Sequence, residues 1–360
     1  MNTTPLAYQL SGYITAEAPL NVSYLGMDER LPRTPHGQVF LNGGTLRGPL
    51  RKAGLKMLIR ELAACHNQPE NLIFNRAQMY MLGEGIDISR ELNNEAVGRS
   101  HDPRAEGFLR DANPFMSLFG RWKLAGYLEV GPLLTSQSNV ITAGQGARHD
   151  QFEHDPRLVT YLSAEEQAAL LEDMRNAQES MVEIEALREQ ARLIKAESRK
   201  TEEVAARQAF AKQIRDLEAQ EKAIRKQRSG SEESIKHPLA GYEAIAPGSQ
   251  LQSRLRLIEG SPEILGLLLH CLAEFSHRPR LGGHLANGFG AISAEWQVMQ
   301  RLPGERQAKP IGTIRLDDMG IALEGERLEH AWQAFKTALP TYDFTLFSRH
   351  EARQRWKQQT

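Results

Sequence analysis

Between Ser163 and Ser229 the chain has neither glycine nor proline, and Ala, Glu, Gln, Lys and Arg dominate. Such a composition is helical by propensity. One unbroken helix of that length would reach on the order of 100 Å. The chain must return to pair with the next strand, so the pattern predicts a helical hairpin. Its turn is expected near "ESRKTEE", with Thr201 as N-cap followed by two acids. Apolar residues are sparse (Leu170, Leu171, Met174; Ile214, Leu217, Ile224), as in a thin two-helix coil whose mixed charges form a solvated face.

The flanks have a different character. "LAYQLSGYI" (6–14), "VFL", 126–134 and 248–260 read as strands, and 48–66 and 261–277 as helices, the second with Ser261 as N-cap and Pro262 at its first position. "NPFMSLFG" reads as a turn with aromatics, 67–112 as loop with short helices, and the tail as a strand pair near 311–323 and a helix at 326–339. Without the long helical piece the order is strand, helix, strand, strand, helix, strand. The expected fold is therefore α+β: a ferredoxin-like, RNA-recognition-like palm with an inserted helical hairpin. The palm takes residues 1–134 and 246–300, with a finger-like insertion at about 67–112. The inserted region spans 135–245, and 301–360 forms a C-terminal extension.

At 360 residues, 41% hydrophobic and 25% charged, the chain is long enough for two modest domains. Its formal net charge of −1 means that a nucleic-acid partner must be met by local patches. Cys65 and Cys271 sit in apolar helical contexts and read as reduced core residues, which suits the cytoplasm. No apolar run is long enough to cross a bilayer, and "MNTTPLAYQL" has no export-signal pattern.

Two stretches bear on chemistry. In "FLNGGTLRGPLRKAGLKMLIREL" (40–62) a short strand runs through Asn42, Gly43 and Gly44 into a helix. A helix N-terminus already carries partial positive charge and unpaired N–H groups, so Arg47, Arg51 and Lys52 gain nothing there for the helix. With Thr45 they suit a phosphodiester; the alternative is a tight turn leading into a solvated basic helix. In "LGGHLANGFGAI" glycine pairs flank a short loop in which Gly283, His284 and Asn287 could meet an extended partner; the alternative is an ordinary hairpin turn. The two stretches are expected to converge on one groove. "RHDQFEHD" (148–155) holds His149 and His154 five apart, which does not match metal-ligand spacing on one helix face, and Arg148 and His149 are weaker contact candidates.

Four stretches in this order carry a family resemblance. "FLNGGTLRGPLR" resembles the signature that opens the first helix of the RAMP proteins of CRISPR effector complexes, and "LGGHLANGFGAI" resembles their C-terminal glycine-rich loop. "SLFGRW" is similar to their Leu-Phe-Gly turn, and "AIAPGSQLQSRLRLI" to their Pro-Gly-Ser lead-in to a strand. Size and style resemble the backbone subunit, particularly that of type IV systems. The resemblance implies copies stacked head to tail along a crRNA, each extending a thumb from about 135–245. This sequence carries the long helical piece where the family has a short β-hairpin. The partners implied are the crRNA, a target DNA or RNA, further copies of the chain, other effector subunits and a DinG-like helicase, with no membrane. RNA contacts fall on Asn42, Gly43, Gly44, Thr45, Arg47, Arg51, Gly283, His284, Asn287, Arg148 and His149. Arg121 and Trp122 could contact RNA or a neighbouring copy, or simply pack.

The same resemblance leaves two alternatives. Related type III subunits cut target RNA with a metal-assisted aspartate, and Asp28 in "LGMDERLP" lies at a similar distance upstream of Gly43. The chain could also be a protein-interaction scaffold working through its hairpin. The leading expectation is a non-catalytic protein without metal or cofactor, because the resemblance to type IV backbones implies no cutting and a lone aspartate in a polar loop is more often simply solvated; neither a catalytic triad nor a dinucleotide fingerprint is present.

Overall fold

Period-two burial makes the central strands. In β9 (Gln250–Ile258) Leu251, Ser253, Leu255 and Leu257 point inward while Gln250, Gln252, Arg254 and Arg256 face out. β10 (Ile292–Arg301) alternates likewise, burying Ile292, Ala294, Trp296 and Val298. The polar residue on the buried side of β9 has its partner: Trp296 Nε1 donates to Ser253 Oγ at 3.1 Å. Both strands flank β1 (Ala7–Ala16), antiparallel to each.

The computed structural model describes residues 7–22, 30–90, 92, 95, 102–143, 146–147, 155–200, 204–227, 238–239 and 241–359. The chain divides into two units, Met1–Ala143 with Tyr242–Thr360, and Gly144–Gly241. The first unit is mixed α+β. Its antiparallel sheet has the order β12-β11-β10-β1-β9-β4-β2, from β2 (Val39–Leu41), β4 (Leu133–Thr135), β11 (Lys309–Asp317) and β12 (Gly320–Glu324). β3 (Leu128–Val130) pairs with β9 beside β4. The single strand expected over 126–134 is thus two short ones, broken at Gly131-Pro132, where Gly131 N still donates to Arg254 O.

Helices α1 (Gly44–His66) and α7 (Pro262–Ser276) bury apolar faces in the common core. They cross closely at Gly54, where a Cβ would lie 2.6 Å from Cys271 Sγ. Burial pushes the Cys271 thiol up, whereas Cys65 is exposed rather than a core residue. Ser261 and Pro262 start α7 as the sequence predicts. Against α7 lies α8 (Glu326–Ala338): His270 stacks on Trp332 with ring centroids 3.7 Å apart, and burial depresses its pKa to about 4.

The other elements modify the expected plan. Between α2 (Arg76–Glu84) and the strands stand α3 (Pro103–Ala112) and α4 (Pro114–Phe119). The last is a helix where a turn was expected, because Asn113 accepts from Met116 N and Pro114 occupies N1. Residues 301–360 supply the expected strand pair, β11 and β12, and the helix α8, and these join the sheet and core. The closing helix, Arg349–Gln359, clamps the 67–112 insertion: Arg349 Nη2 donates to Glu106 Oε2 at 2.9 Å, and its N–H donates to Glu95 Oε1 at 2.7 Å. Arg121 donates to the other oxygen of Glu95 at 2.7 Å and is buried, while Trp122, expected to pack, is 53% exposed.

The second unit contains the helices α5 (Ala164–Lys200) and α6 (Val204–Gln227). Arg188 with Glu221 at 2.9 Å, and Lys195 with Glu218 at 3.3 Å, set them antiparallel. Ile184 and Ala191, seven residues apart, are buried. The expected cap Thr201 lies outside the described residues. A two-residue ladder, β6 (Gly146–Ala147) with β7 (Pro238–Leu239), belongs to the same unit. The unit boundaries fall at 143/144 and 241/242, inside the 135–245 region.

Candidate nucleic-acid interface

The first glycine stretch starts α1 without a side-chain cap and with no acid in its first turn. Gly43 lies against the sheet: a Cβ there would meet the Val130 carbonyl oxygen at 2.0 Å, so only glycine fits. Gly44 is exposed and faces open space. Thr45 N, Leu46 N and Arg47 N turn back onto Asn42 O and Gly43 O at 2.8–3.1 Å. Asn42 is exposed but engaged.

The two arginines do not do what the sequence predicts. Arg51 is buried; its Nη2 donates to Met81 O at 2.7 Å, its Nε to Leu82 O, and its Nη1 to Phe119 O at 3.4 Å. Burial, and then Arg47, lower its pKa to about 10, so it stays cationic at neutral pH. Arg47 also donates to Phe119 O, its Nε is buried without a partner, and burial lowers its pKa. Both guanidinium groups are therefore turned onto the Leu118-Phe119-Gly120 turn. Arg51 is withdrawn from any phosphate because its donors are used by main-chain carbonyls. The sequence pattern could not reveal this, since an arginine at a helix start looks the same whether it points out or in. Lys52, Lys56 and Arg60 are the exposed cations of this stretch; Lys52 Nζ lies 3.1 Å from Glu84 Oε1, and Arg60 Nη1 lies 2.7 Å from Glu274 Oε2.

The second loop is bound to the end of β1. Gly283 N donates to Asn21 O, and Gly290 N donates to Pro19 O, each at 2.9 Å. Gly282 has φ +80°, and a Cβ there would meet Asn21 O at 2.1 Å. His284 takes the left-handed conformation at φ 54° and is exposed, as is Asn287, whose N–H donates to His284 O. The His284 ring stacks on Tyr242 at 4.2 Å between centroids and 7° between planes, and Phe289 stands 6.0 Å from Tyr242, edge to face, and 6.1 Å from His284, tilted. Arg280 Nη1 donates to Leu285 O and Phe289 O and so fixes the loop's shape.

Tyr242 begins β8 (Tyr242–Ile245), which pairs with β5 (Val140–Ala143). Its neighbour Glu243 accepts from Arg33 Nη2 at 2.7 Å and from Leu31 N at 2.8 Å. The Arg33 hydrogen bond, opposed in part by burial, holds the Glu243 carboxyl below the usual range. Asn21 Nδ2 donates to Glu243 O at 2.7 Å. Sequence reading missed Asn21, Tyr242, Arg280 and Phe289. Phe289 had one signal, an aromatic between two loop glycines; the others are brought in by tertiary structure.

The stretches do not close one groove. Gly43 stands at Val130 and Gly131, opposite Leu255 and Arg254 of β9. The second loop is tied beyond Ala16 of β1, where Thr15 faces Gln250. Their levels differ by four β9 residues, about 13 Å along the strand, and β1 stands between. They are two stations that an extended strand of a few nucleotides could span. Asp28, Arg148 and His149 lie outside the described residues. Among the described residues no group of three or more His, Cys, Asp or Glu is placed to hold a metal, and no helix is long and apolar enough to cross a membrane. The chain matches no protein-family model and no curated protein.

Proposed function

We propose that the chain is a RAMP-type, crRNA-binding backbone subunit of a CRISPR surveillance complex, most like the type IV protein, working in the cytoplasm without cutting. In this reading copies assemble head to tail along the guide and present it for pairing with target DNA or RNA, beside other effector subunits and a DinG-like helicase. The observation that carries it is the contact between two sequence-distant motifs: Arg47 and Arg51 of the first signature donate to Phe119 O of the Leu-Phe-Gly turn. Two of the four motifs thus share one hydrogen-bond cluster, which supports reading them as parts of one device. The finer fold reading rests on strand order. β10, β1, β9 and the β3–β4 pair, with α1 and α7 as crossovers, match the split βαβ arrangement of a ferredoxin-like palm.

Such a subunit holds phosphates and ribose and leaves sequence reading to pairing. With Arg51 withdrawn, the first station works through Gly43, Gly44, Thr45, the start of α1, and Lys52 and Lys56. A clean test places a carboxylate there. Gly44→Glu enters open space, and an acid in the first turn favours the helix. The purified wild-type chain should carry RNA of regular length, lost steeply with added salt. The variant should keep its melting temperature and lose at least tenfold in RNA affinity. A wild-type chain that purifies without RNA and binds no single-stranded RNA at low salt would overturn the assignment.

A further inference from the structure

Three rings from two distant segments meet at the second loop, and the central one is exposed. His284 has one face against Tyr242 and Phe289 tilted at 6.1 Å from it, and the residue is exposed, so its other face is the one offered to a partner. Arg280 and the bonds to Pro19 and Asn21 hold it in place. A rigid exposed ring of this kind is a stacking platform on which a base of any identity can lie.

A second observation at the same place is independent of the rings. Asn21 is 3% exposed, and its Nδ2 is committed to Glu243 O, which fixes Oδ1 as the acceptor. That Oδ1 is buried without a partner. A buried acceptor left unmade is costly, so it signals a missing donor. Gly283 lies beside it: a Cβ there would sit 3.9 Å from Oδ1, in ordinary contact with it, so the glycine puts no side chain over the acceptor.

We infer that this is a single-nucleotide seat, in which an unpaired base stacks on His284 and the ribose 2′-hydroxyl of that nucleotide donates to Asn21 Oδ1. The inference rests on the RNA-binding reading and adds sugar discrimination to it. A hydroxyl fits better than a base amine because every ribonucleotide has one, whereas exocyclic amines differ between bases. The 2′-hydroxyl is also the group by which a protein separates RNA from DNA.

The test uses the full chain freed of bound nucleic acid in high salt, then returned to low salt with short single strands carrying one 2-aminopurine. RNA should bind at least fivefold more tightly than the same sequence in 2′-deoxy or 2′-fluoro form, while a purine lacking the exocyclic amine binds as well as adenine. The fluorescence change on stacking should disappear in His284→Ala and return in His284→Phe. Equal affinity for the three sugars, or a fluorescence change that survives His284→Ala, would overturn the seat while RNA binding stands. Failure to bind any strand would remove the RNA-binding reading and the seat together.

Discussion

The two glycine stretches look alike in sequence and are built to opposite ends. The first carries more charge, yet Arg47 and Arg51 face inward, with Arg51 spent on Met81, Leu82 and Phe119 carbonyls. The second stretch itself has no Asp, Glu, Lys or Arg, yet it exposes rings and covers an acceptor with no partner. Cationic residues near a loop therefore say less about binding than the question of which polar atoms remain unsatisfied once the chain has folded.

The largest effect expected from this contrast is at Arg51. Arg51→Met leaves the Met81 and Leu82 carbonyls without their cationic donor, while Phe119 O keeps Arg47, and should cost about 3–5 kcal/mol, lowering Tm of the sheet unit by on the order of 10 °C. Thermal melts followed by circular dichroism check it; an unchanged Tm would return Arg51 to the role of a phosphate contact. Next is an acid limit on where the contrast can be measured. His270 is held neutral with a pKa of about 4, below the 6.5 of a free histidine. As pH falls through 6.5 the unfolded chain takes up the proton first. Roughly 3 kcal/mol of stability is then lost between pH 6.5 and 4, and none above. Urea titrations at a series of pH values should show that slope, and His270→Phe should flatten it.

Within the second loop two glycines separate fit from freedom. Gly282→Ala should cost about 2–3 kcal/mol, because it combines φ +80° with a clash on Asn21 O. Gly288→Ala, at φ +82° with nothing within 4 Å, should cost about 1 kcal/mol. Equal losses in chemical melts would mean that the loop is not pinned at Asn21. Smallest of all, Arg188→Ala in the hairpin should change stability by less than about 0.5 kcal/mol, since Arg188 is exposed and its partner Glu221 only partly buried.

Much of the frame could be read from one sequence. Alternation in 6–14 and 248–260, the Ser261-Pro262 start and the glycine-free helical stretch each carry a local rule strong enough to fix an element. The reading weakened wherever a distant partner decides. Asn113 turns "PFMSLF" into a helix by one cap bond, and Gly131-Pro132 splits a strand whose apolar pattern is continuous. The direction of Arg51 depends on carbonyls 30 and 68 residues away. Tyr242 reaches the second loop only because β8 returns beside β5, which no periodicity announces.

That return has its own consequence. Ala143 faces Tyr242 across the β5–β8 ladder, where the 144–241 unit departs and rejoins. Its two roots are one strand spacing apart, about 5 Å. An insertion with roots so close is a graft: lengthening it adds only a logarithmic entropy penalty to the host. A two-residue turn in its place would leave every rung of the main sheet paired. The host can therefore exchange one appendage for another over evolutionary time without relearning how to fold.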